Sequence, residues 1–394
     1  MNLLVISERF WPEGSGGTLA VYLTTKLLAT CGDFKVTVVT GTRNPVKISG
    51  ASFIIDEAFR IPSKPVRWLY FLRPFVKTRY KNLIRKFDII YIPYGYPLIP
   101  LAKEVDRKVI VHLHDYQPIA YNSTILHGQR GGLVHDIKTE LTYELLEHYS
   151  MKRAMMGSLL VPITMLCRAW VNQADVIICV SWRQAEIISS SAPELIRKIK
   201  VVYNLLPEIP PTEEKLKHPT FTYVGGDSYI KGFHVFLKAS QKLLKRGART
   251  SFILAGSYRD SSRKMVGRLG KNYNLLGYVN HERALKLYSK SFAVLFPSIS
   301  EEPLPYTVME SMLVGTVPIA SKIGGVPEIV KGTHAERMMF TPGDSDEMSD
   351  RMEEILSLSR EQLIDIGFSL RETIFKKFNN NLIKRQLLDI FNNT

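Results

Sequence analysis

Two glutamates, Glu302 and Glu310, lie in a segment whose prolines constrain the backbone between them. Pro303 excludes a regular helix through its own position, whereas Pro305 suits the first turn of a helix. We therefore expect Glu302 in a loop at the end of a strand and Glu310 about a turn and a half into the next helix. A carboxylate can accept hydrogen bonds from two hydroxyls, so the pair suits a ribose or another polyol. Two unrelated surface charges would show the same residues.

Two glycine-rich segments each follow a predicted strand and precede a predicted helix. The glycines concerned are Gly16 and Gly17 in the first segment and Gly225 and Gly226 in the second. Glycines there let backbone N–H groups approach a phosphate, and the positive end of the helix favours an anion. Lys231 adds a point charge that suits a diphosphate. The first segment lacks the spacing of a dinucleotide site or a P-loop, and a plain turn and a solvated lysine remain open alternatives.

A histidine pair, His112 and His114, ends another predicted strand and is followed by Asp115. Alternation along a strand sends both histidines to the same face. A metal site needs a third ligand, and the sequence offers no obvious one, so we predict no metal. His114 is instead expected to act as a hydrogen-bonding group in a cleft, with Asp115 orienting nearby backbone.

Short β-branched runs alternate with amphipathic segments, which is typical of a parallel, doubly wound sheet. The predicted strands before the middle of the chain are Leu3–Ile6, Val36–Thr40, Asp88–Ile92, Val109–Leu113 and Val176–Val180. The series breaks at a proline-rich stretch that contains Pro207, Pro210 and Pro211. It restarts with Phe221–Val224, Ser251–Leu254, Ala293–Phe296 and Val317–Ala320.

This pattern predicts two α/β domains with a ligand cleft between them, beside the carboxyl ends of the strands. The first domain is expected over residues 1–206 and a linker over 207–219. The second domain is expected over 220–375, with a C-terminal helix over 376–394 that returns to the first.

The segment from Glu302 to Val330 resembles glycosyltransferase family 4 of the GT-B fold, which has two Rossmann-like domains; it reads EPLPYTVMESMLVGTVPIASKIGGVPEIV. Further matches follow the family's order over essentially the whole chain: Glu13–Gly17, Val111–Asp115, Ala174–Ser181, Val201–Asn204, Val224–Gly232, Leu276–Val279, Phe296–Ser298 and Thr341–Asp344. The resemblance implies transfer of a sugar from a UDP- or GDP-sugar, with retention at the anomeric carbon and no metal or other cofactor.

The resemblance also implies roles for individual residues. Glu310 would bind the donor ribose and Glu302 the hydroxyls of the transferred sugar, while His114 would contact that sugar near the reacting centre. Lys231 and the amides of Gly16 and Gly17 would hold the diphosphate. The remaining donor-binding residues are Gly225, Gly226, Leu304, Pro305 and Tyr306.

The chain departs from the family at two places. Most relatives have arginine where this chain has Gly226, so Lys231 lacks a second cation unless Arg259 or Arg263 compensates. The segment Asn204–Pro207 lacks the usual glycine after asparagine. Because Glu302, Glu310 and Lys231 are all present, we expect an active enzyme.

The stretch between Ile61 and Phe87 has eight bases and no acid, interleaved with aromatic residues. Such a segment suits an anionic membrane surface, with the aromatics in the headgroup boundary. The residues assigned to this membrane or acceptor surface are Arg67, Trp68, Arg73, Lys77, Arg79 and Lys81. A core-packed helix with a basic outer face and a nucleic-acid site are the alternatives. The apolar stretch Met155–Leu166 could extend the surface.

Composition narrows the class of protein. The chain is 45% hydrophobic and 23% charged, which excludes disordered, collagen-like and disulfide-scaffold proteins. Three cysteines without regular spacing indicate reduced thiols in a cytosolic protein. Met1–Ser7 resembles a strand rather than a signal peptide, and no segment reaches the length of a spanning helix.

The net charge of +15 leaves nucleic acid, membranes and phosphate-bearing substrates open. We predict a peripheral enzyme at the cytoplasmic face of the cell membrane that extends a lipid-linked glycan or a glycolipid and binds no nucleic acid. The alternatives are a non-catalytic sugar-nucleotide-binding subunit and an enzyme similar to a glycan phosphorylase or glycosidase. Base identity, sugar, linkage and oligomeric state are not readable from the sequence.

Overall fold

A computed structural model describes residues 1–128, 133–210 and 214–393, with no side-chain description for 133–135. It shows two α/β lobes, each built on a parallel sheet. Positions 211–213 of the predicted linker, and position 394, lie outside the described residues. The three cysteines are free thiols.

The first lobe contains a seven-stranded sheet in the order β3-β2-β1-β4-β5-β6-β7. Its strands are β1 Asn2–Ser7, β2 Lys35–Thr40, β3 Ala51–Ile55, β4 Ile89–Ile92, β5 Lys108–Leu113, β6 Val176–Cys179 and β7 Ile199–Val201. The central β4 is buried over its whole length, as expected for a parallel strand covered on both faces. All carboxyl ends therefore meet at one edge of the sheet.

The second lobe contains a six-stranded parallel sheet in the order β10-β9-β8-β11-β12-β13. Its strands are β8 Thr220–Val224, β9 Ser251–Ala255, β10 Tyr273–Gly277, β11 Ala293–Phe296, β12 Val317–Ser321 and β13 Met339–Phe340. The order reverses beside β8, and ligands of open parallel sheets bind at such a reversal.

Helices cover both faces of each sheet. Those of the first lobe are α1 Gly16–Thr30, α2 Lys64–Phe71, α3 Pro74–Ile84, α4 Ile99–Glu104, α5 Leu133–His148, α6 Met151–Leu160, α7 Ile163–Val171 and α8 Trp182–Ser191. The others are α9 Phe233–Lys245, α10 Asp260–Arg268, α11 His281–Lys290, α12 Tyr306–Leu313, α13 Val326–Val330, α14 His334–Arg337, α15 Ser345–Leu356, α16 Arg360–Lys377 and α17 Asn380–Asn393. Short 3-10 helices occur at Glu57–Arg60, Tyr96–Leu98 and Pro193–Lys198.

The last helix, α17, packs on the first lobe. The ring of Phe391 lies 6.1 Å from that of Phe34 and 5.2 Å from that of Tyr91. Asn380 accepts a hydrogen bond from the N–H of Leu206 at 2.8 Å and donates one to the carbonyl of the same residue at 3.0 Å. The end of the chain thus ties the second lobe to the first at the side of the linker.

Candidate functional site

The loop after β11 brings Glu302 to Lys231. The Nζ atom of Lys231 lies 2.5 Å from Oε1 of Glu302. Both side chains keep accessible surface, 39% for the lysine and 19% for the glutamate. The residues assigned to the diphosphate and to the transferred sugar are therefore neighbours, and an arriving anion can reach the pair.

Glycines behind this loop are needed to hold Glu302 in place. Gly324 has a left-handed φ of +53°, and a Cβ there would lie 2.0 Å from the carbonyl oxygen of Glu302. The N–H of Gly325 donates to the same carbonyl at 2.9 Å. The close approach of the two backbones requires glycine at 324, which explains the glycine pair in the motif.

Glu310 lies on α12 as predicted from Pro305, and it is almost fully buried. Its Oε1 atom is 2.6 Å from Nε2 of His281, at the start of α11. Among the described residues no side chain or amide donates to its second oxygen, Oε2. Trp11 of the first lobe packs edge-on against the ring of His281, with centroids 5.3 Å apart. His281 thus orients the carboxylate and leaves one oxygen for a hydroxyl.

We expect the His281–Glu310 pair to stabilise the fold most at acid pH. Burial lowers the pKa of His281, but the hydrogen bond and charge of Glu310 outweigh burial and raise it above 6.5. The stabilisation is therefore complete below pH 6.5 and is lost as the pH rises through the raised pKa. Urea unfolding of the wild type and of His281→Gln should show a stability difference that shrinks with rising pH; a constant difference would contradict this account.

The first lobe faces these residues with Gly16, Gly17 and His114. A Cβ on Gly16 would lie 3.1 Å from the Tyr306 ring, and a Cβ on Gly17 would lie 2.2 Å from the Tyr94 hydroxyl and 3.3 Å from Cβ of His114. The start of α1 thus lies against both the end of β5 and the start of α12. These contacts put the glycine loop of the first lobe beside the start of α12 in the second lobe, where the motif that contains Glu302 and Glu310 lies.

His114 is a neutral group at any physiological pH. Burial lowers its pKa to about 3, and neither ring nitrogen has a partner among the described residues. Its ring lies 4.2 Å from that of His112, so both do occupy one face. His112 bonds through Nδ1 to the Tyr91 hydroxyl at 2.8 Å and is fully buried, whereas His114 is only partly buried and is the better placed of the two to bond a ligand.

The loop after β8 explains why arginine is absent at position 226. Gly226 has φ of +62°, and a Cβ there would lie 2.3 Å from the carbonyl oxygen of Ser257. Of the two proposed substitutes, Arg259 uses all three guanidinium nitrogens within the protein and bonds Asp227 at 2.8 Å. Arg263 bonds the Tyr258 carbonyl at 3.0 Å through Nε, and its two terminal nitrogens make no bond among the described residues.

Three predicted donor-binding residues are buried between the lobes. They are Leu304, Pro305 and Tyr306. The Tyr306 hydroxyl donates to the Leu205 carbonyl at 2.8 Å, and Ser181 Oγ donates to the Pro303 carbonyl at 2.6 Å. These three residues can therefore bind the donor only through backbone atoms, because their side chains are buried between the lobes.

Sequence reasoning missed a carboxylate that joins the lobes at α8. Glu328 accepts hydrogen bonds from the N–H groups of Trp182 and Arg183 at 3.0 and 2.7 Å, and from the Tyr203 hydroxyl at 3.0 Å. An acid at a helix N-terminus is favourable electrostatically. Glu328 belongs to the motif that starts at Glu302, but the sequence does not predict that its carboxylate bonds the N-terminus of α8.

A buried acidic pair in the first lobe is also new. The side-chain amide of Asn122 donates to both Glu140 and Glu144. Burial and, secondarily, the charge of Glu144 raise the pKa of Glu140 to about 7. Ionisation of Glu140 therefore costs folding free energy at neutral pH.

Glu140→Gln should accordingly stabilise the protein more at pH 8 than at pH 5. A raised carboxyl pKa means that the folded state loses stability as the pH rises from 4.5 to about 7, and the glutamine variant does not suffer this loss. Thermal unfolding of both proteins at the two pH values measures the difference. An equal or larger gain at pH 5 would contradict the assignment.

The structure corrects much of the predicted membrane segment. Three of its aromatics, Trp68, Phe71 and Tyr80, are buried, because α2 and α3 pack on the sheet; the Trp68 ring lies 5.2 Å from that of Trp170. An amphipathic pattern does not say which face meets the core. Phe75 is the aromatic that is well exposed, at 62%.

Three predicted surface bases are paired within the protein. Arg67 bonds Glu8 at 2.8 and 3.1 Å, Arg79 bonds Asp56 at 2.5 Å, and Lys81 pairs with Glu104. Arg73 lies over the Tyr70 ring at 5.4 Å, and the described residues give Lys77 no ion pair. Of the six residues assigned to this surface, only Arg73 and Lys77 remain free for an anionic partner.

A larger apolar surface lies on α6 and α7 and overlaps the stretch Met155–Leu166 that is predicted to extend the segment. Its exposed members are Met151, Met155, Met156, Leu159, Met165 and Leu166, with Val66, Leu69 and Phe75 on α2 and α3. The two parts are neighbours because Trp68 of α2 contacts Trp170 of α7. No single described helix has the length and apolarity to cross a bilayer; α6 and α7 together do, but they are bent by 49°. Within the described ranges no three His, Cys, Asp or Glu residues could share a metal ion.

Part of the chain is similar in sequence to known glycosyltransferases. The family model of glycosyl transferases group 1 matches residues 207–368. The chain is 26% identical over 43% of its length to an uncharacterized glycosyltransferase of Methanocaldococcus jannaschii, and 28% identical over 35% to alpha-D-kanosaminyltransferase of Streptomyces kanamyceticus. These matches span 43% and 36% of the two relatives, less than half of each.

Solved structures match over the whole chain. Anabaena HepE in complex with UDP-glucose superposes with a TM-score of 0.70 at 16% identity, covering 100% of both chains. Sucrose-phosphate synthase of Thermosynechococcus elongatus gives 0.72 at 16% identity, covering 100% of this chain and 98% of that one. At this identity the likeness concerns the fold, and it confirms the two-domain α/β architecture predicted from the sequence.

Proposed function

We propose that this chain moves a sugar from a UDP- or GDP-sugar to an acceptor. The chain has the GT-B glycosyltransferase fold, and its residues 207–368 match the group 1 glycosyl transferases. The observation that carries the proposal is the contact between Lys231 and Glu302. A cation and a carboxylate meet there beside the glycine loop of the opposite lobe. HepE was solved with UDP-glucose, which supports a nucleotide-sugar donor here.

The geometry suits departure of a nucleoside diphosphate. The bond between the anomeric carbon and the diphosphate oxygen breaks, and negative charge grows on that oxygen. Lys231 and the amides at the start of α1 stabilise this charge, since they are already in position. Glu302 then bonds the sugar hydroxyls, and Oε2 of Glu310 the ribose.

Retention follows if the acceptor hydroxyl attacks from the face that the diphosphate leaves. Its oxygen bonds to the anomeric carbon, and its proton passes to a phosphate oxygen of the leaving group. Glu302 is paired with Lys231 rather than with a second carboxylate, so we assign no covalent intermediate of the glycosidase type. His114, neutral at physiological pH, contributes a hydrogen bond rather than a proton transfer.

We further propose that the acceptor is lipid-linked and that α6 and α7 rest on the cytoplasmic face of the membrane. Exposed apolar residues favour contact with lipid, and Lys152, Arg73 and Lys77 near them favour anionic headgroups. The docking surface proposed here differs from the sequence prediction, because the buried aromatics of α2 and α3 are replaced by the methionines of α6.

Vesicle sedimentation tests this surface. The double variant Leu159→Ser with Met165→Ser should reduce binding to vesicles that contain phosphatidylglycerol at least fivefold, while Ile196→Ser, at an exposed apolar residue elsewhere in the lobe, should not. The side chains are 75%, 70% and 58% exposed, so the fold is expected to survive all three changes. Equal binding of all variants would refute the assigned surface.

A transfer assay tests the proposed reaction. The protein is incubated with radiolabelled UDP- and GDP-sugars and a membrane lipid extract, with EDTA present. Label should enter the lipid fraction with EDTA and fail to do so with Glu310→Ala. Release of free sugar or sugar phosphate without an acceptor would instead favour a phosphorylase or glycosidase.

A sugar-nucleotide-binding subunit without activity is the second candidate. It is favoured by Gly226, where the family resemblance implies an arginine. Donor binding without turnover on any acceptor extract would support it.

A further inference from the structure

A second charged cleft lies in the first lobe, at the carboxyl ends of β1, β2 and β3. It is lined in part by Glu8, Arg9, Glu13, Arg60 and Arg67. The end of a parallel sheet is where such folds bind ligands. The donor-site residues Lys231, Glu302 and Glu310 do not line it, so the proposed reaction leaves this cleft unexplained.

The three arginines differ in how far they are neutralised. Arg67 is fully engaged, since it bonds both oxygens of Glu8 and donates to the Ile61 carbonyl at 2.6 Å. Arg60 has Glu13 and Glu57 at 3.6 Å, beyond hydrogen-bond distance, and donates to a backbone carbonyl. Arg67 is therefore held in place by hydrogen bonds to Glu8, whereas Arg60 makes only longer ion pairs with its neighbouring carboxylates.

Arg9 is the third cation, and it is exposed. Within the part of the chain that the structure describes, its guanidinium makes no hydrogen bond or ion pair. A guanidinium presents a fork of N–H groups that matches the oxygens of a phosphate. Arg9 and the N–H groups of Arg60 other than the one that bonds the Gly41 carbonyl thus offer donors on one cleft, beside the Glu8–Arg67 ion pair.

The position of the cleft links the donor site to the proposed membrane surface. On one side it includes Gly14, two residues before the start of α1, and the first residue of α1, Gly16, faces Tyr306. On the other side it includes Arg67 on the inner face of α2, while Val66 and Leu69 on the outer face are 53% and 64% exposed. An anionic group held here would have an apolar tail within reach of α2 and a sugar within reach of the cleft between the lobes.

We infer that Arg9 and Arg60 form a subsite for a phosphate or diphosphate group of the acceptor. The assignment of this phosphate to an acceptor rests on the proposed function, whereas the binding of an anion by the two arginines does not. The same chemistry could be presented by a lipid-linked diphosphate or by a water-soluble phosphate ester. The Glu8–Arg67 pair is a positioning element that sets the width of the subsite.

Isothermal titration on the full chain tests this subsite with two probes, geranyl diphosphate and inorganic pyrophosphate. Titrations are run with a saturating concentration of UDP or GDP, whichever binds the wild type, so that the donor site is filled. Arg9→Ala and Arg60→Ala should each weaken probe binding about tenfold, as loss of a charged hydrogen bond does. Arg197→Ala, which removes an exposed arginine elsewhere in the lobe, should leave it unchanged.

The probes separate the two sources of phosphate. Tighter binding of geranyl diphosphate than of pyrophosphate would support a lipid-linked acceptor, and equal binding would support a soluble one; either result supports the subsite. No binding of either probe at millimolar concentration, or binding that Arg9→Lys, Arg9→Ala and Arg60→Ala all leave intact, would overturn it. If neither UDP nor GDP bound but the probes still responded to Arg9, the proposed function would fail and the subsite would stand.

Discussion

Lys231→Ala should lower kcat about 10²- to 10³-fold, the range seen when a preorganised electrostatic contact is removed from a reaction centre. In this chain no arginine at position 226 shares the charge of the leaving diphosphate, and Arg259 and Arg263 are engaged with other groups. The lysine is therefore expected to matter more here than in a relative with two cations. Steady-state transfer of labelled sugar from the donor identified in the assay above measures the loss.

Lys238→Ala is the matched control, because Lys238 is an exposed lysine in the second turn of α9, which follows Lys231, and has no ion pair among the described residues. It should keep the wild-type rate. Glu302→Gln retains the size of the side chain but loses the charge that holds Lys231, so it should also reduce kcat. A Lys231→Ala enzyme that is folded by circular dichroism and transfers sugar at the wild-type rate would contradict the assigned role.

Gly17→Ala should reduce kcat/KM about 10- to 100-fold, the scale of a misplacement of about 1 Å at a reaction centre. The added Cβ would lie 2.2 Å from the hydroxyl of Tyr94 and 3.3 Å from Cβ of His114. Tyr94 must then move, and His114 moves away from the start of α1. The loss should appear in transfer kinetics rather than in global stability.

Gly267→Ala is the control for the glycine substitution. A Cβ there meets no atom within 4 Å, and the residue lies within α10. Alanine is the better helix former, so this variant should be as active as the wild type and slightly more stable. If both alanine variants had normal kinetics, the contact of Gly17 with His114 would have no catalytic importance.

The sequence was sufficient for elements whose signal is local. Buried β-branched runs predicted the central strands, and Pro305 predicted where α12 begins. The edge strand β3 was missed because Ala51–Ile55 is half exposed and has no buried run. The short β13 has two residues and no pattern to recognise.

The site residues also divide into those predicted from local sequence motifs and those that were not predicted. Lys231, Glu302 and Glu310 were found because they stand in ordered motifs. His281 and Tyr94 were not, because they reach the site through long-range packing that no spacing encodes. Trp68 was assigned to the surface for a related reason: alternating bases and aromatics look alike on a helix facing lipid and on one facing the core, and only the Trp170 contact decides between them.

The central claim is that the two lobes hold a nucleoside diphosphate through Lys231 and the amides of α1. Calorimetric titration of UDP and GDP into the wild-type chain and into Lys231→Ala tests it without knowledge of sugar or acceptor. We predict that one of the two nucleotides binds the wild type and binds the variant at least tenfold more weakly. Failure of both nucleotides to bind the wild type, or equal affinity for the variant, would contradict the account.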